Sequence, residues 1–289
     1  MSTTHQPARS RSAESSGRTF AVLGALAAAL VAAIVVGPRT LAAIGSGGDL
    51  AERGNLVEAL RGAFIEYWSS GDRKLSRNLE RVVDYWFRYH LAKAGFAAIL
   101  LIVLVVLGVR LWQAFLRADA IGAGRRAALA SAGALVAMLA VLSLAMVMAN
   151  VQGVVAPFSS LLPMLAPGTA DGELAGTLAQ VRQQLAVSLS ASRPTPPALE
   201  VMISDFARYH AAMAVVAAIV AVAFLVLSLV LWKRFARMRA SDRRARRVLG
   251  SFGLLAAVFS LAAIVLVVAN VTVVADPAPA LLAFFEGGW

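Results

Sequence analysis

Two histidines occur in the same short phrase at an interval of 120 residues, in a chain that has only three histidines. Arg88–His90 reads Arg-Tyr-His, Arg208–His210 repeats it, and each phrase opens a long apolar run. Imidazole nitrogens can ligate a transition metal, and two imidazoles can hold a haem iron from opposite sides. The same side chains could instead bind a substrate or a lipid headgroup. The third interpretation is structural, with each histidine hydrogen-bonded where its helix enters the membrane.

The spacing along the chain places these residues at one level. His90 lies 22 residues from Trp112, which is about 33 Å along a helix, and Asn150 lies 24 residues beyond the basic Arg126. The second phrase repeats both placements. We predict a paired site, in which the two imidazoles approach each other or a shared asparagine cluster, from these residues: Arg88, Tyr89, His90, Asn150, Arg208, Tyr209, His210 and Asn270.

The structural interpretation of the histidines is favoured over ligation. No carboxylate neighbours them to complete a familiar metal set, and an interfacial position is wet. We therefore commit to no metal or cofactor. His90 and His210 remain the alternative ligands of a haem or a transition metal. The asparagines serve more often as interhelical hydrogen-bonding groups than as ligands.

The elements that position these residues are membrane helices. Hydrophobic residues make up 60% of the chain and its mean hydropathy is +0.75, whereas a soluble domain is nearer 45–50% apolar. A helix needs about 20 apolar residues to cross a bilayer. Five stretches contain no charge and predict five transmembrane helices: Phe20–Val36, Ala94–Val109, Ala127–Ala170, Tyr209–Trp232 and Val248–Ala275.

The net charge of +11 is concentrated in alternate connecting segments. The N-terminal tail, residues 110–126 and residues 233–247 are basic, while the other connections are balanced or acidic. The positive-inside rule therefore predicts a cytoplasmic N-terminus and an outside C-terminus in the plasma (inner) membrane. Anionic lipid is the predicted partner of the cytoplasmic basic segments. No basic patch interleaved with aromatic residues points to nucleic acid.

The first apolar run has two interpretations. A basic tail followed by an apolar stretch is typical of a signal peptide, but the tail is long and no clean Ala-x-Ala site follows Val36. We favour a retained anchor. The orientation of the other four helices is the same in both interpretations.

The two phrases belong to a longer internal repeat. Residues 88–162 and 208–282 are identical at 29 of 75 positions without a gap. This identity predicts a tandem duplication. Each copy is a helical hairpin with two crossings, so the copies share one orientation and relate by a pseudo-two-fold axis along the membrane normal.

The segments outside the membrane carry apolar stripes at helical spacing. We predict that they form amphipathic helices capping the outer face. The stripes are Leu56, Leu60, Ala63, Phe64, Tyr67 and Trp68; then Leu79, Val82, Val83, Trp86 and His90; then Leu174, Leu178, Val181 and Leu185; and lastly Leu199, Ile203, Phe206 and His210. The predicted organisation is a disordered basic tail at 1–19, a first transmembrane helix at 20–36, outer helices at 37–86, a first hairpin at 87–165, outer helices at 166–206, and a second hairpin with a short tail at 207–289.

Function is constrained mainly by what the sequence lacks. No cysteine, nucleotide-binding loop, HExxH motif or nucleophile elbow is present, and no predicted span holds a charged residue near its middle. The leading prediction is an all-α, non-enzymatic cell-envelope membrane protein. It would act as an accessory subunit or a module binding lipids or small molecules, with other membrane protein subunits as partners. The alternatives are a membrane redox enzyme using His90 and His210, and a channel or carrier for a neutral or lipidic solute.

Overall fold

The protein is helical throughout the part of the chain that the structure, a computed structural model, describes. That part comprises residues 8–45, 48–116, 122–165, 172–190, 194–239 and 241–288. Its α-helices are α1 (Ala8–Ala42), α2 (Arg53–Ser70), α3 (Arg77–Leu116), α4 (Ala123–Val155), α5 (Pro157–Leu161), α6 (Gly172–Ser190), α7 (Pro197–Arg237), α8 (Arg243–Ala275) and α9 (Pro277–Phe285). These ranges contain no strand, which confirms the all-α prediction.

Five helices, α1, α3, α4, α7 and α8, are long and apolar enough to cross a membrane. The most apolar window of each has a mean hydropathy of 2.4 to 3.1, and only 17–28% of each window is buried within the protein. Because apolar side chains that face water are unfavourable, this degree of exposure suits helices surrounded by lipid. The predicted number of long apolar helices is therefore confirmed.

Helices α3 and α7 are longer than a membrane crossing requires. They contain 40 and 41 residues, or about 60 Å each, twice the thickness of the hydrocarbon core. The predicted domain boundaries at 86/87 and 206/207 consequently lie inside continuous helices. No glycine or proline interrupts the chain at these positions, so the backbone hydrogen bonding continues through them.

Helix α1 also extends beyond its predicted bounds. It begins at Ala8, so residues 8–19 of the predicted disordered tail are helical, while residues 1–7 lie outside the described residues. Helix extension needs less free energy than nucleation, so an apolar segment can propagate helix into a polar flank. The helix also passes Pro38 and ends at Ala42.

The described chain divides into two compact units. Unit 1 contains residues 1–38 and 92–147, and unit 2 contains residues 39–91 and 148–289. Unit 1 has a core of buried residues from α1, α3 and α4: Leu30, Ile34, Ala97, Leu100, Val103, Leu104, Leu107, Leu111 and Val136. Ser143 on α4 donates a hydrogen bond to the Ala97 carbonyl oxygen of α3, 2.8 Å away.

Unit 2 has its own hydrophobic core, here called the inter-span core. It is defined by buried residues from α2, α5, α6, α9 and the N-terminal parts of α3 and α7, among them Leu60, Phe64, Tyr67, Leu79, Phe158, Leu161, Val181, Leu199, Leu281 and Phe285. All residues of the predicted stripes on α2 and α6 are buried. On α3, Leu79 and Val82 are buried, while on α7 Leu199, Phe206 and His210 are buried. The period read from the sequence therefore identifies the packed faces.

Candidate functional site

Each predicted histidine is hydrogen-bonded to the predicted asparagine of its own hairpin. His90 Nδ1 on α3 lies 2.8 Å from Asn150 Oδ1 on α4, and His210 Nδ1 on α7 lies 2.8 Å from Asn270 Oδ1 on α8. Both pairs are separated by 60 residues and occupy aligned positions of the two copies. Each pair therefore joins the two helices of one hairpin.

The orientation of one amide defines which histidine nitrogen carries the proton. Asn270 Nδ2 donates to the carbonyl oxygen of Leu266, 2.8 Å away, so its Oδ1 is the atom that faces His210. An amide oxygen only accepts hydrogen bonds. His210 Nδ1 is consequently the donor, and in the neutral ring Nε2 is the basic nitrogen.

The His90 ring lies against the backbone of α4. A Cβ atom added to Gly153 would come within 2.7 Å of the imidazole Cγ and Nδ1 atoms, so the ring occupies the space that a side chain would fill. The Trp86 ring packs edge-on at 4.7 Å between centroids, and Trp86 Nε1 donates to Ser160 Oγ at 2.8 Å. Tyr89 stacks on Trp86 with centroids 5.0 Å apart.

The His210 ring has a more apolar environment. It is 6% exposed, and Phe206 replaces Trp86 at the aligned position, with its centroid 4.6 Å away. Val273 stands where the first copy has Gly153, and Ala280 stands where it has Ser160. The two histidines thus share the asparagine bond but differ in their remaining neighbours.

The two predicted arginines form ion pairs. Arg88 donates to the Ile44 carbonyl oxygen at 3.0 Å and to Asp84 Oδ2 at 2.6 Å. Arg208 donates to Asp205 Oδ1 at 2.6 Å. Both arginines therefore contact the inter-span segments of the protein. The pairing of the two histidines with each other stays a prediction.

A buried acid that the sequence analysis did not select lies close to the second phrase. Asp205 is 4% exposed, and its Oδ2 accepts hydrogen bonds from the Ser159 backbone N–H at 2.8 Å and the Ser159 hydroxyl at 2.9 Å. Ser159 is in the first turn of α5, whose N-cap residue Ala156 has no side-chain acceptor. Asp205 supplies that acceptor from α7. Its position directly before Phe206 in the apolar stripe is the signal that could have identified it.

Tyr67 on α2 is fully buried beside this acid. Its hydroxyl donates to the Ala198 carbonyl oxygen at 3.0 Å, and its ring meets Phe158 edge-on at 5.8 Å. Burial, and secondarily the negative charge of Asp205, raise the pKa of Tyr67 from 10.0 to about 12. Both effects disfavour the phenolate in the folded protein.

We expect Tyr67 to stabilise the fold only while it is neutral. Since its pKa is raised on folding, this contribution is complete below about pH 10, the value of an unperturbed tyrosine, and is lost as the pH rises through about 12. The ultraviolet difference titration of wild type minus Tyr67→Phe should show a phenolate transition near pH 12. A transition near the unperturbed value would show that Tyr67 is accessible to water.

Each histidine of the predicted site takes part in a hydrogen bond between two helices. Among the residues that the structure describes, no group of three or more His, Asp or Glu side chains could hold a metal ion. Several Ser and Thr hydroxyls donate to carbonyl oxygens of their own helix. Comparison of the chain with protein-family models, with curated proteins and with solved structures found no match.

Proposed function

We propose that the chain is a five-span integral membrane protein of the cell envelope that works as a non-enzymatic accessory subunit or binding module. The observation that carries this proposal is the inter-span core. Helices α2 and α6, which contain charged residues, pack in this core together with the N-terminal parts of α3 and α7. Both α3 and α7 continue into candidate spans. Such a core can present a defined surface on one side of the membrane. In the proposed topology this is the outer side.

The histidine–asparagine pairs support the non-enzymatic part of the proposal. Both rings use Nδ1 to join two helices of one hairpin, and this bond occurs in both copies although the surrounding residues differ. The same histidine–asparagine hydrogen bond in two different environments indicates a structural role that both hairpins share. It also supports the duplication of a hairpin as the origin of the fold.

We place helix α1 in the mature protein as a retained anchor. Leu30 and Ile34 belong to the core of unit 1, and Gly37 lies so close to Phe96 that an added Cβ would come within 2.6 Å of its ring. In unit 2, Ala42 at the end of α1 is 1% exposed. Removal of this helix would expose apolar side chains that are now buried, and their exposure to water is unfavourable.

The proposed topology predicts opposite behaviour of fusions at the two ends. With the N-terminus cytoplasmic and five crossings, alkaline phosphatase fused after Trp289 should be active, and a green fluorescent protein fused there should be dark. An N-terminal fluorescent fusion should be bright. The mass of the purified, unfused protein should include residues 1–36, because we expect no cleavage after the first helix. A bright C-terminal fusion with inactive phosphatase would contradict the orientation.

Purification in mild detergent tests the accessory function. We expect other membrane protein subunits to co-purify in a fixed ratio after cross-linking. The control is a five-span protein of unrelated sequence with the same tag, which should not co-purify with these subunits. If the protein elutes alone and no cross-linked partner forms in intact membranes, the accessory role is wrong.

One observation favours a second candidate function, ligation of a haem or a transition metal. Metal-ligating histidines commonly donate their second ring N–H to an oxygen acceptor, and His210 Nδ1 donates to Asn270 in this way. The absorption spectrum of the purified protein tests it. A Soret band lost in His90→Ala and His210→Ala, but kept in Trp112→Phe, would establish a redox cofactor and displace the leading proposal.

A further inference from the structure

Positively charged side chains have different partners in different parts of the chain. In the inter-span segments Arg73 pairs with Glu200, Arg81 with Asp49, Arg88 with Asp84, and Arg208 with Asp205. Each of these four pairs joins an arginine and an acid of the described inter-span segments. Acids of the same chain therefore neutralise these four arginines.

The turn between α7 and α8, here called the second-hairpin turn, has a different charge balance. Residues 233–247 contain eight basic residues and one acid, Asp242. Six of the basic side chains are exposed and form no ion pair with any described acid: Lys233, Arg234, Arg237, Arg239, Arg243 and Arg247. The second-hairpin turn therefore holds six exposed cations within 15 residues and only one acid.

Arg246 has a different task from its neighbours. Its guanidinium lies 4.6 Å from the centroid of the Phe235 ring, and it donates to the Met238 carbonyl oxygen at 3.4 Å. These contacts join the end of α7 to the start of α8. Because Arg246 contacts residues of the turn itself, it holds the turn in the conformation that positions the six exposed cations.

The second-hairpin turn is also located where two spans end. The candidate spans Pro197–Arg237 and Ala245–Ala275 meet at it. One residue before the basic group, Trp232 packs on α8, where a Cβ added to Gly253 would lie 3.2 Å from the indole nitrogen. Tryptophan beside basic residues at a span end is typical of the headgroup region.

We infer that the second-hairpin turn is a binding site for the phosphate-bearing headgroups of anionic phospholipids, formed by the six exposed cations and held in shape by Arg246. This inference rests on the proposed membrane-spanning function. The occupant is a lipid because the cations surround the ends of two apolar helices, where headgroup phosphates are the nearest anions. Each cation near an anionic membrane surface strengthens binding by about fivefold.

Native mass spectrometry of the full chain with added phosphatidylglycerol or phosphatidylcholine tests this site. We expect phosphatidylglycerol to be retained preferentially, and the triple variant Arg234→Gln, Arg237→Gln, Arg243→Gln to lower its affinity at least tenfold. The matched control Arg53→Gln, Lys74→Gln, Arg77→Gln removes the same charge from the inter-span segments and should change affinity less than twofold. Arg246→Gln should lower the melting temperature and have less effect on lipid affinity than Arg237→Gln.

Three outcomes would overturn the inference. They are equal retention of the two lipids, equal losses in the triple variant and its control, and displacement of phosphatidylglycerol by millimolar inorganic phosphate, which would indicate a site for free anions. The fusion assay is independent of lipid affinity. A correct topology with no lipid preference would therefore refute the lipid site alone.

Discussion

Replacing Asp205 by alanine is expected to lower the free energy of unfolding by about 3 kcal/mol, the largest effect that we predict for a single polar side chain here. The carboxylate is buried and accepts two hydrogen bonds from Ser159. Alanine would leave the Ser159 backbone N–H and hydroxyl buried without their acceptor. An unsatisfied buried polar group has a larger effect than the average value of the bond it has lost.

The ion pair of the same carboxylate should contribute much less. The Arg208 side chain is 61% exposed, and exposed ion pairs typically contribute below about 1 kcal/mol. Arg208→Ala is therefore the matched control, and Asp205→Asn should be intermediate because an amide oxygen can still accept from Ser159. The measurement is denaturant unfolding of the detergent-solubilised protein. Equal losses for Asp205→Ala and Arg208→Ala would contradict the capping role.

The second copy explains why this acid is needed only once. At the position aligned with Ser159, α9 has Pro279, which has no backbone N–H to be satisfied. The position aligned with Asp205 in the first copy is Tyr85. The capping bond thus joins α5, which follows the first hairpin, to α7 of the second. It is a link between the two copies and not a bond repeated within each.

Replacing Gly153 by alanine is expected to displace the His90 ring and destabilise the protein by about 2 kcal/mol, as overpacking of a filled site does. The added Cβ would come within 2.7 Å of His90 Cγ, and this atom cannot move without a change in the side-chain rotamer. The His90–Asn150 bond should break as a result. Gly95→Ala on α3 is the matched control, because a Cβ there meets nothing within 4 Å.

A double-mutant cycle distinguishes a clash with His90 from a general effect on the helix. In a His90→Ala background the ring is absent, so Gly153→Ala should lose most of its effect and the two changes should not be additive. Gly95→Ala should be neutral or slightly stabilising, since alanine favours helix over glycine. Additive free energies for Gly153→Ala and His90→Ala would show that the close approach does not determine stability.

The sequence by itself determined the elements that have a strong period or length. The apolar stripe from Leu56 to Trp68 recurs at helical spacing, and all its members are buried. Each of the five uncharged runs contributes to one long apolar helix, since an α-helix satisfies its backbone hydrogen bonds within a single segment. The run from Ala127 to Ala170 extends past the end of α4 at Val155, so its last part lies outside that helix. The repeat places His90, His210, Asn150 and Asn270 at equivalent positions, and these residues are hydrogen-bonded in pairs.

Only the tertiary structure decided which polar groups meet, because a hydrogen bond depends on positions to within a fraction of an ångström and sequence spacing does not supply them. Asp84 and Asp205 each pair with an arginine of their own helix, but the Asp84 side chain is 51% exposed, whereas Asp205 is buried and accepts from Ser159 of α5. Gly153 on α4 is important for packing because the His90 ring of α3 lies directly against it. Arg246 differs from Arg243 and Arg247 because helix packing brings Phe235 beneath it, and identical side chains in one basic run thereby take different tasks.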